Sequence, residues 1–551
     1  MSKGVLNRTN TMGLRGRALR WTITACATTA FSLFGYDQGL MSGIITAPQF
    51  ARDFPGVVAT RKEDEYHATI VQGATTACYE IGCLVGAIWV LAFGERVGRR
   101  PIVLIGCFII VIGTVITITA IPHKWPLGHF IVGRSITGIG NGMNTATVPV
   151  WQSEMSKPKN RGKLVNLEGS VVAFGTMIAY WIDFGLSYAN SSVSWRLPIA
   201  LQIVFAVLVF IIILGLPDSP KWLIKKNRNQ EAIYIMSCLF EVDPNDPELL
   251  EEVDYIAETV KLSEKSGNSY RDLFTGGKTQ HFQRMCIGAS TQFFQQFTGC
   301  NAAIYYSTVL FETTIFPDKE NKRRLSLILG GVFSIVYAVF TLPSFFLVDT
   351  FGRRNLFLMG AIGQGVSFII TMACLIHPTA NNSKGAAVGL YLYIVFFAMS
   401  ILPLPWIYPP EINPLKTRTR ASAVSTCTNW LCNAAVVLFT PIFIGKSDWG
   451  CYLFFACMNF LFVPVIFFFY PETAGRSLEE IDVIFAKAHE EKRQPWRVAA
   501  TMPKLSMHEV EQEAQRLGIY GDDQMSIIKR TVLHVSRVSS TNGESSLAEK
   551  V

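Results

Sequence analysis

The sequence predicts an all-α membrane protein in which twelve transmembrane helices form two pseudo-symmetric halves of six. Hydrophobic residues make up 50% of the 551 positions and charged residues only 16%, whereas a soluble domain of average composition has about 25% charged residues. The charges are concentrated in short loops, and the runs between them approach the roughly 20 apolar residues that a helix needs to cross a bilayer. Three loop motifs also recur about 254 residues apart.

Twelve apolar runs have the length of a membrane-spanning helix. They lie near residues 21–46, 68–93, 101–121, 127–152, 164–188, 196–216, 286–312, 326–349, 354–377, 386–410, 421–445 and 450–470. Small residues recur within them, as in GRSITGIGNG at 133–142, and permit close contact between helices. We therefore interpret GIGNG as a packing stripe and not as a phosphate-binding loop.

Lys and Arg are enriched in the short loops on the cytoplasmic side of a membrane protein. Here basic residues cluster before the first run, between the second and third, and between the fourth and fifth. The loop between the third and fourth runs has Lys124 alone, and the loop between the fifth and sixth has no Lys or Arg. Both termini are therefore predicted to be cytoplasmic.

This orientation divides the chain into five parts. They are an N-terminal cytoplasmic tail (1–20), a first six-helix half (21–216), a cytoplasmic linker (217–285), a second six-helix half (286–473) and a C-terminal cytoplasmic tail (474–551). The linker alternates charged and apolar residues and is predicted to form short amphipathic helices. The C-terminal tail is polar, ends in VSSTNGESSLAEKV, and is predicted to be disordered.

The two halves share an internal repeat. The repeated positions are Arg100 and Arg354, Glu154 and Glu411, and Asp218 and Glu472, at offsets of 254, 257 and 254 residues. Each of the two glutamates in the second pair is followed seven residues later by an arginine, Arg161 or Arg418. Two parallel repeats related by an axis along the membrane normal are typical of transporters in which one half rocks against the other around a central site.

These motifs resemble the sugar porter family of the major facilitator superfamily over about residues 20–490. The resemblance rests on FGYD in the first span, GRR in two loops, QQFTGCNAAIYYS in the seventh span, PPEINPLKTR and PETAGRSLEE. VWQSEMSKPKNRG and STCTNWLCNAAVV are most similar to the glycerol/proton symporters of that family in yeast plasma membranes. The resemblance implies the major facilitator fold, a transport activity and no cofactor.

Charged loop residues are expected to form salt bridges at the cytoplasmic face. The candidate gate consists of Arg96, Arg99, Arg100, Glu154, Arg161, Asp218, Arg353, Arg354, Glu411, Arg418 and Glu472. The resemblance implies that such a network latches the outward-open state. The alternative is that these charges only set the topology of the chain.

Charged residues also lie inside the apolar runs, where each costs about 2.5–3.5 kcal/mol on insertion scales. Asp37 in span 1 and Arg134 in span 4 are placed by helical rise about 13 and 10 Å from the outer face, so the two can pair. A carboxylate that loses and regains an arginine partner can act as a proton switch, and proton-coupled sugar porters resemble this sequence at both positions; the alternative is a static ion pair. Glu80 is a second candidate proton site without an evident partner, while Glu168 and Asp183 are expected to be solvated near the helix ends.

Amide side chains suit a neutral polyhydroxy substrate because each offers both a donor and an acceptor. The candidates are Gln295, Gln296, Asn301, Tyr305 and Tyr306 in span 7, Trp406 in span 10, and Asn429 and Asn433 in span 11, with Gln292 at helical spacing from Gln296. Gln295 and Gln296 are adjacent and cannot point the same way. The resemblance implies sugar binding for Gln295, Gln296, Asn301, Trp406 and Asn429, and the alternative is that the amides only connect helices.

Two positions depart from the family pattern. Gly169, beside Glu168, aligns with a substrate-binding glutamine of the family, and Leu402 stands where the family usually has glycine. The first change removes a hydroxyl contact and the second adds bulk, and both disfavour an ordinary hexose more than a smaller polyol.

The sequence, with the resemblance, therefore predicts a proton-coupled symporter that imports glycerol across the plasma membrane by alternating access. The expected partners are glycerol, a proton and the lipid bilayer, without nucleic acid, metal or cofactor, and function as a monomer is expected. The alternatives are a hexose or other polyol carrier, with or without proton coupling, and a transporter-like nutrient receptor. An enzyme is disfavoured because the spans contain no arrangement of nucleophile and base.

Overall fold

The structure, a computed structural model, is built from α-helices. It describes residues 9–57, 65–120, 125–156, 161–265, 273–312, 321–377, 379–414 and 416–519. Within these ranges the regular secondary structure is helical, with no β-strand. The predicted all-α fold class is confirmed.

Helices occupy the first six predicted spans. The first half consists of α1 (Gly16–Ile45), the short α2 (Pro48–Asp53), a 3-10 turn (Pro55–Val57), α3 (Glu65–Val97), α4 (Arg99–Ile118), α5 (Pro126–Glu154), α6 (Arg161–Leu186) and α7 (Val193–Leu214). α7 is apolar on all sides, and only 33% of its most apolar window is buried in the protein. The remaining surface of α7 is therefore suited to lipid.

Three helices follow in the linker: α8 (Pro220–Lys225), α9 (Asn229–Phe240) and α10 (Pro247–Lys265). Arg20 at the start of α1 donates to the carbonyl of Leu239 at the end of α9, 2.7 Å away. The linker helices therefore lie at the end of the bundle from which α1 begins. We call this the inner end, which is the predicted cytoplasmic side, and the opposite one the outer end.

The second half repeats the arrangement with shorter helical pieces. It consists of α11 (His281–Phe297), α12 (Cys300–Leu310), α13 (Lys322–Thr341), α14 (Ser344–Thr350), α15 (Arg353–Ile376), α16 (Ala380–Phe396), a π-helical turn (Phe397–Ile401), α17 (Leu404–Ile412), α18 (Arg418–Lys446) and α19 (Asp448–Phe469). The seventh span was predicted to be continuous, but it breaks between α11 and α12. Gly299 in that break has φ +94°, which glycine adopts without the steric cost that a side chain would add.

The tenth span also changes its helical geometry, within a segment that contains Pro403 and Pro405. α16 ends in the π-helical turn, and α17 begins at Leu404. Proline interrupts the backbone hydrogen bonding of a helix, and π-helical turns occur often at functional sites.

Among the described residues, nine helical segments qualify as membrane spans by length and hydropathy alone. The predicted spans outside that group are those formed by α1, by α5 and by the broken pair α11–α12. α11 and α12 have 17 and 11 residues, and each is too short to qualify by itself. α1 and α5 carry buried polar side chains, which lower their hydropathy. The lower hydropathy is consistent with a position inside the bundle rather than against lipid.

The glycines of span 4 pack against neighbouring helices. A Cβ atom on Gly138 or Gly142 would lie 2.2 Å from the carbonyl oxygen of Tyr79 or 2.1 Å from that of Cys83, both in α3. A Cβ on Gly140 would lie 2.4 Å from the carbonyl oxygen of Gly106 in α4. The GIGNG segment is therefore in close contact with two helices, which agrees with its interpretation as a packing stripe.

Gly35→Ala is expected to destabilise the protein by about 1–3 kcal/mol through overpacking. A Cβ at this position would lie 1.9 Å from the carbonyl oxygen of Val172, and this backbone atom can move only if α6 moves. The melting temperature of the purified protein in detergent measures the effect. Gly185→Ala is the matched control, since a Cβ there meets no atom within 4 Å, and an equal fall in both variants would contradict the prediction.

The C-terminal tail contains three helices between residues 478 and 517, so the prediction of disorder is wrong for this part. α20 (Leu478–Glu490), α21 (Pro495–Thr501) and α22 (Met507–Leu517) follow the last span. Their apolar residues form one buried cluster, which includes Ile484, Val498 and Val510. Each helix is short and polar on one side, and only their mutual packing provides a core. Residues 520–551, including VSSTNGESSLAEKV, lie outside the described residues.

α20 is attached to the inner end of the second half. Arg284 of α11 forms an ion pair with Asp482 of α20, with 2.5 Å between Nη2 and Oδ1. The same guanidinium donates through Nε to the carbonyl of Ile412, 2.5 Å away, and lies over the ring of Phe485 at 4.6 Å. Arg284 therefore links the start of α11 both to the tail helix α20 and to the end of α17.

Candidate functional site

Asp37 of α1 and Arg134 of α5 form an ion pair inside the first half. Arg134 Nη1 lies 2.7 Å from Asp37 Oδ1. Asp37 is 0% exposed and Arg134 1% exposed, so no solvent screens the pair. Gln202 of α7 donates to the same carboxylate oxygen at 2.6 Å. The structure thus brings together two residues that the sequence placed at similar depth.

The pair is joined by a single hydrogen bond. Neither Asp37 Oδ2 nor the Nε and Nη2 atoms of Arg134 have a hydrogen-bond partner among the described residues. The guanidinium instead lies 4.5 Å from the ring centre of Tyr79, whose hydroxyl accepts from Asn141 at 2.5 Å. A bidentate pair would be geometrically more specific and stronger, so this contact is easier to break.

Glu80 of α3 has a partner that the sequence did not identify. The hydroxyl of Tyr305 in α12 donates to Glu80 Oε1 at 2.5 Å. Glu80 is 0% exposed, and its bond crosses from the first half to the second. Tyr305, predicted to bind substrate, uses its hydroxyl here in a contact between the halves.

Other bonds join the halves toward the outer end. Ser42 of α1 donates to the hydroxyl of Thr308 in α12 at 2.9 Å. The hydroxyls of Tyr180 in α6 and Ser307 in α12 are 2.6 Å apart. α12 is therefore hydrogen-bonded to both α1 and α6 on this side of the bundle.

Glu168 and Asp183 of α6 were expected to be solvated, and this expectation is wrong. Glu168 is 1% exposed and Asp183 4% exposed. α6 packs closely on α1 along this stretch, and a Cβ on Gly43 would lie 2.4 Å from the Asp183 carboxylate. Counting residues from the ends of α6 placed both acids near the membrane surface. It could not show that neighbouring helices cover them.

Three of the candidate amides form a first amide cluster, defined as Gln292, Gln295 and Asn429. Asn429 of α18 donates to the side-chain oxygens of Gln292 and Gln295, at 2.6 and 3.0 Å. Gln292 donates to the carbonyl of Pro405 at 2.6 Å, and Gln295 donates to that of Leu402 at 3.2 Å. The cluster therefore adjoins the break in the tenth span.

A second amide cluster consists of Gln296, Asn301, Asn433 and Gln38. Asn301 Nδ2 lies 2.6 Å from the side-chain oxygen of Gln296 and 2.7 Å from that of Asn433. Gln38 of α1, one residue after Asp37, donates to the side-chain oxygen of Asn301 at 3.4 Å. Gln295 and Gln296 thus join different clusters, and the second cluster reaches across to the helix that carries the ion pair.

The remaining candidate side chains lie nearby. Tyr306 donates through its hydroxyl to the carbonyl of Val437, 3.0 Å away. Trp406 is half-buried in α17, directly after Pro405. Tyr306 therefore contributes to packing between α12 and α18.

At the inner end, each half has its own ion pair between loop charges. Arg99 Nε lies 3.1 Å from Glu154 Oε2 in the first half. Arg353 Nη2 lies 3.1 Å from Glu411 Oε1 in the second half. The internal repeat of the sequence therefore has a structural counterpart in two equivalent pairs.

Asp218 and Glu472 act on the backbone at equivalent positions. Asp218 Oδ1 accepts from the backbone N–H groups of Arg99 and Arg100, at 3.1 and 3.2 Å. Glu472 accepts from those of Arg353 and Arg354, at 2.8 and 3.1 Å. Both carboxylates therefore cap a helix N-terminus, where unpaired N–H groups and the helix dipole favour an anion, a role that the sequence did not predict for them.

The other arginines of the predicted gate differ from one another in their contacts and exposure. Backbone carbonyls accept from Arg100 (Ile213), Arg354 (Phe467) and Arg418 (Asn413). Arg96 is exposed, and the side chain of Arg161 lies outside the part of the chain that can be described.

Gln202, Gln38 and Tyr79 were missed by the sequence interpretation. Gln202 is an isolated amide in the apolar segment LPIALQIVFAVLV, and Gln38 follows Asp37 directly. A polar side chain in an otherwise apolar span is a usable signal of function. The partner of that side chain is not visible in the sequence, because Gln202 and Asp37 are 165 positions apart.

Comparisons with known proteins agree on one family. The family described as Sugar (and other) transporter matches residues 22–485. The sugar transporter STL1 of Saccharomyces cerevisiae is 59% identical over 518 residues, covering 94% of this chain and 90% of that protein. The major facilitator superfamily transporter mfsA of Aspergillus fumigatus is 50% identical over 525 residues, covering 95% and 96%.

Solved structures share the fold. The proton:xylose symporter XylE bound to 6-bromo-6-deoxy-D-glucose superposes with a TM-score of 0.71 at 24% identity, covering 85% of this chain and 99% of that one. The inward-open xylose transporter XylE from E. coli gives a TM-score of 0.67 at 25% identity, covering 84% and 99%.

Proposed function

The chain belongs to the sugar transporter family of the major facilitator superfamily, and on this premise we propose that it is a proton-coupled symporter that imports glycerol. It is a multi-pass membrane transporter and not an enzyme. The proposal places it in the plasma membrane with both termini in the cytoplasm, working as a monomer by alternating access.

The buried ion pair of Asp37 and Arg134 is the observation that supports proton coupling. An arginine in contact stabilises the ionised carboxylate, whereas a carboxylate left alone in an apolar interior is stable only when protonated. The contact is a single hydrogen bond of 2.7 Å, so a small displacement of α5 from α1 breaks it. Breaking and re-forming this bond during each transport cycle would take up and release one proton.

The second amide cluster supports a link between the proton site and the substrate. Gln38 is the neighbour of Asp37 on α1 and bonds to Asn301 of α12. A substrate hydroxyl that replaces this contact would change the position of α12 relative to α1. Glu80 is the second proton site in this proposal, because its bond to Tyr305 joins the same two halves.

The two amide clusters support a small neutral polyol as the substrate. Amides bind hydroxyls as donors and as acceptors, and neither cluster contains a charged side chain. Leu402 is 7% exposed and its carbonyl accepts from Gln295, so its side chain takes up volume beside the first cluster. The similarity of VWQSEMSKPKNRG and STCTNWLCNAAVV to glycerol/proton symporters supports glycerol over a hexose or another polyol.

Coupling to protons is sufficient to concentrate such a substrate. One proton moving through 100 mV yields about 2.3 kcal/mol, and one pH unit adds about 1.4 kcal/mol. Because each 1.4 kcal/mol corresponds to a factor of ten, the sum supports a gradient of roughly a few hundredfold. Glycerol leaks through membranes, and a cell that accumulates it needs a drive of this size.

Uptake of labelled glycerol with simultaneous recording of external pH tests the proposal. Glycerol addition is expected to raise the external pH, and a protonophore is expected to abolish accumulation. Accumulation that is indifferent to the protonophore would reject symport. Transport of glucose without transport of glycerol would reject the substrate and favour the hexose carrier, and binding without transport would favour a receptor.

Asn429→Ala is expected to raise the KM for glycerol exchange about tenfold or more, because it removes a donor that organises both glutamines of the first amide cluster and each such contact contributes about 1 kcal/mol or more. Equilibrium exchange measures KM without the coupling step. Asn144→Ala is the matched control, since Asn144 is buried in α5 and contacts Cys107 instead of the amide clusters. An unchanged KM for Asn429→Ala would assign this amide to helix packing.

A further inference from the structure

The guanidinium of Arg134 has partners on two different helices. Its Nη1 atom lies 2.7 Å from Asp37 of α1, and its central carbon lies 4.5 Å from the ring centre of Tyr79 in α3. Its Nε and Nη2 atoms have no hydrogen-bond partner among the described residues. Tyr79 is 0% exposed, and the attraction between a cation and an aromatic ring is strongest where both are removed from water. The ring therefore contacts a part of the guanidinium that no hydrogen bond holds.

Two contacts with α5 fix the position of Tyr79. The side-chain amide of Asn141 donates to the Tyr79 hydroxyl at 2.5 Å. A Cβ atom on Gly138 would lie 2.2 Å from the carbonyl oxygen of Tyr79, so the backbones of α3 and α5 touch at this level. Arg134, Gly138 and Asn141 share one face of α5, because residues three, four and seven positions apart lie above one another on a helix. This face of α5 therefore presents the cation to the ring and also holds the ring in place.

Glycines of α3 join it to α5 on the other side of the same interface. A Cβ atom on Gly82 would lie 2.2 Å from the carbonyl oxygen of Ser135 in α5. One turn further along α3, a Cβ atom on Gly86 would lie 2.2 Å from that of Ile139. Small residues at an interface let two helix backbones pack in direct contact. We therefore expect α3 and α5 to move together as one pair.

α1 is packed in the same way on α6. A Cβ atom on Gly35 would lie 1.9 Å from the carbonyl oxygen of Val172 in α6. The bond between Asp37 and Arg134 is a contact between side chains, and it connects the pair α1–α6 to the pair α3–α5. A displacement between the two pairs therefore breaks this bond and leaves the contact between Tyr79 and Arg134 in place.

Protonation of Asp37 changes what Arg134 needs from its surroundings. While Asp37 is ionised, its negative charge offsets the charge of the guanidinium. Once Asp37 is protonated, the guanidinium is a buried cation without a counter-charge, which is costly. The face of an aromatic ring attracts a cation, so the ring of Tyr79 lowers this cost. The ring therefore favours the protonated state of Asp37 more than the ionised state.

Arg134 is the one cation among the titratable groups that face Asp37 in the described part of the chain. α7 contributes Gln202, which has no charge, and Asp183 of α6 lies against Gly43, about 9 Å further out along α1 by helical rise. The facing groups are Arg134 of α5, Tyr79, Glu80 and Cys83 of α3, Tyr305 of α12 and Tyr36 of α1 itself.

We propose that Tyr79 is a positioning residue for proton coupling, whose ring keeps the guanidinium of Arg134 in place while Asp37 is protonated. The inference rests on the proposed function. In the ionised state the guanidinium is shared between the carboxylate and the ring, and in the protonated state the ring retains it. When the two helix pairs close again, the guanidinium returns to the carboxylate, and the proton passes from Asp37 to water.

The pH dependence of glycerol uptake into proteoliposomes tests this role in Tyr79→Phe and Tyr79→Leu. Phenylalanine keeps the ring and removes only the hydroxyl, whereas leucine removes the ring. Half-maximal uptake by Tyr79→Leu is expected at an external pH about one unit or more below that of Tyr79→Phe, because the protonated state of Asp37 then leaves Arg134 without a partner. Tyr393→Leu is the matched control, since Tyr393 is also a buried tyrosine but stacks on Phe368 in the second half, with 4.2 Å between ring centres. It is expected to keep the wild-type midpoint.

The outcomes separate this inference from the proposed function. Wild-type protein without proton-coupled uptake overturns both, while coupled wild-type uptake with equal midpoints in Tyr79→Phe and Tyr79→Leu overturns only the role of the ring. An equal shift in Tyr393→Leu also overturns it, because loss of packing anywhere would then be sufficient. If Tyr79→Leu does not fold, 3,4,5-trifluorophenylalanine at position 79 keeps the shape of the ring and removes the negative potential of its face. Its midpoint is expected to fall below that of Tyr79→Phe, and an equal midpoint overturns the assignment.

Discussion

Asp37→Asn is expected to abolish the accumulation of glycerol against its gradient while leaving exchange of glycerol down its gradient. Asparagine keeps the shape of the side chain and can still accept from Arg134 and Gln202, which now bond to Asp37 Oδ1 at 2.7 and 2.6 Å. The amide cannot take up or release a proton, so the transport cycle loses its coupling but not its binding site. Uphill uptake and counterflow, measured on the same preparation with a pH gradient, separate the two activities.

Asp183→Asn is the matched control for this experiment. Asp183 is equally an aspartate buried in the first half, but it lies against Gly43 at the outer end of α6 and not against Arg134. Its replacement is expected to preserve accumulation. Accumulation that survives in Asp37→Asn would make the ion pair a structural one, and Glu80 would become the next candidate for the proton site.

Asp482→Ala is expected to lower the free energy of unfolding by about 3–5 kcal/mol, the cost of removing one partner from a buried ion pair. Arg284 and Asp482 have side chains 0% and 5% exposed, with 2.5 Å between the paired atoms. The substitution leaves the guanidinium of Arg284 buried between the tail and the helix bundle without its counter-charge. A fall in the melting temperature of the purified protein in detergent measures the loss.

Glu513→Ala provides the comparison within the same tail. Glu513 pairs with Arg516 at 2.8 Å, but both side chains are partly in solvent, at 34% and 51% exposure. Water and salt screen such a pair, so the melting temperature is expected to stay at the wild-type value. Equal shifts in the two variants would show that the ion pair of Arg284 does not anchor the tail.

Contacts between buried polar residues could be predicted from the sequence only where the type of each residue and its depth in the membrane were enough to suggest its partner. Asp37 and Arg134 were paired from the sequence because rise per residue gives depth in a membrane and opposite charges at one depth attract. Gln202 has the same kind of signal, yet nothing in the sequence states that α7 places it on Asp37. Glu80 lacked a visible partner because Tyr305 lies 225 positions away in the opposite half.

The substrate region shows the same limit. Adjacent glutamines must diverge on a helix, and the structure places Gln295 and Gln296 in separate clusters. The bond between Gln296 and Asn301 spans the break at Gly299. The sequence interpretation did not predict this break because it treated span 7 as one apolar run. The tail was misjudged for a related reason: α20, α21 and α22 are each too short to show a core, and they form one only together.

The sequence by itself determined the helical membrane fold, the repeat of two halves, the family and the identity of the charged and amide side chains inside the spans. The helical fold and the repeat follow from local composition and spacing, because each span must satisfy its own backbone hydrogen bonds and bury or expose its own apolar surface. The family follows instead from the resemblance of its motifs. Only the tertiary structure decided which polar groups meet, which helices break and where space remains. Most of the contacts between polar groups join residues on different helices that are far apart in the chain, as Gln202 and Asp37 are at 165 positions, and helix packing sets them.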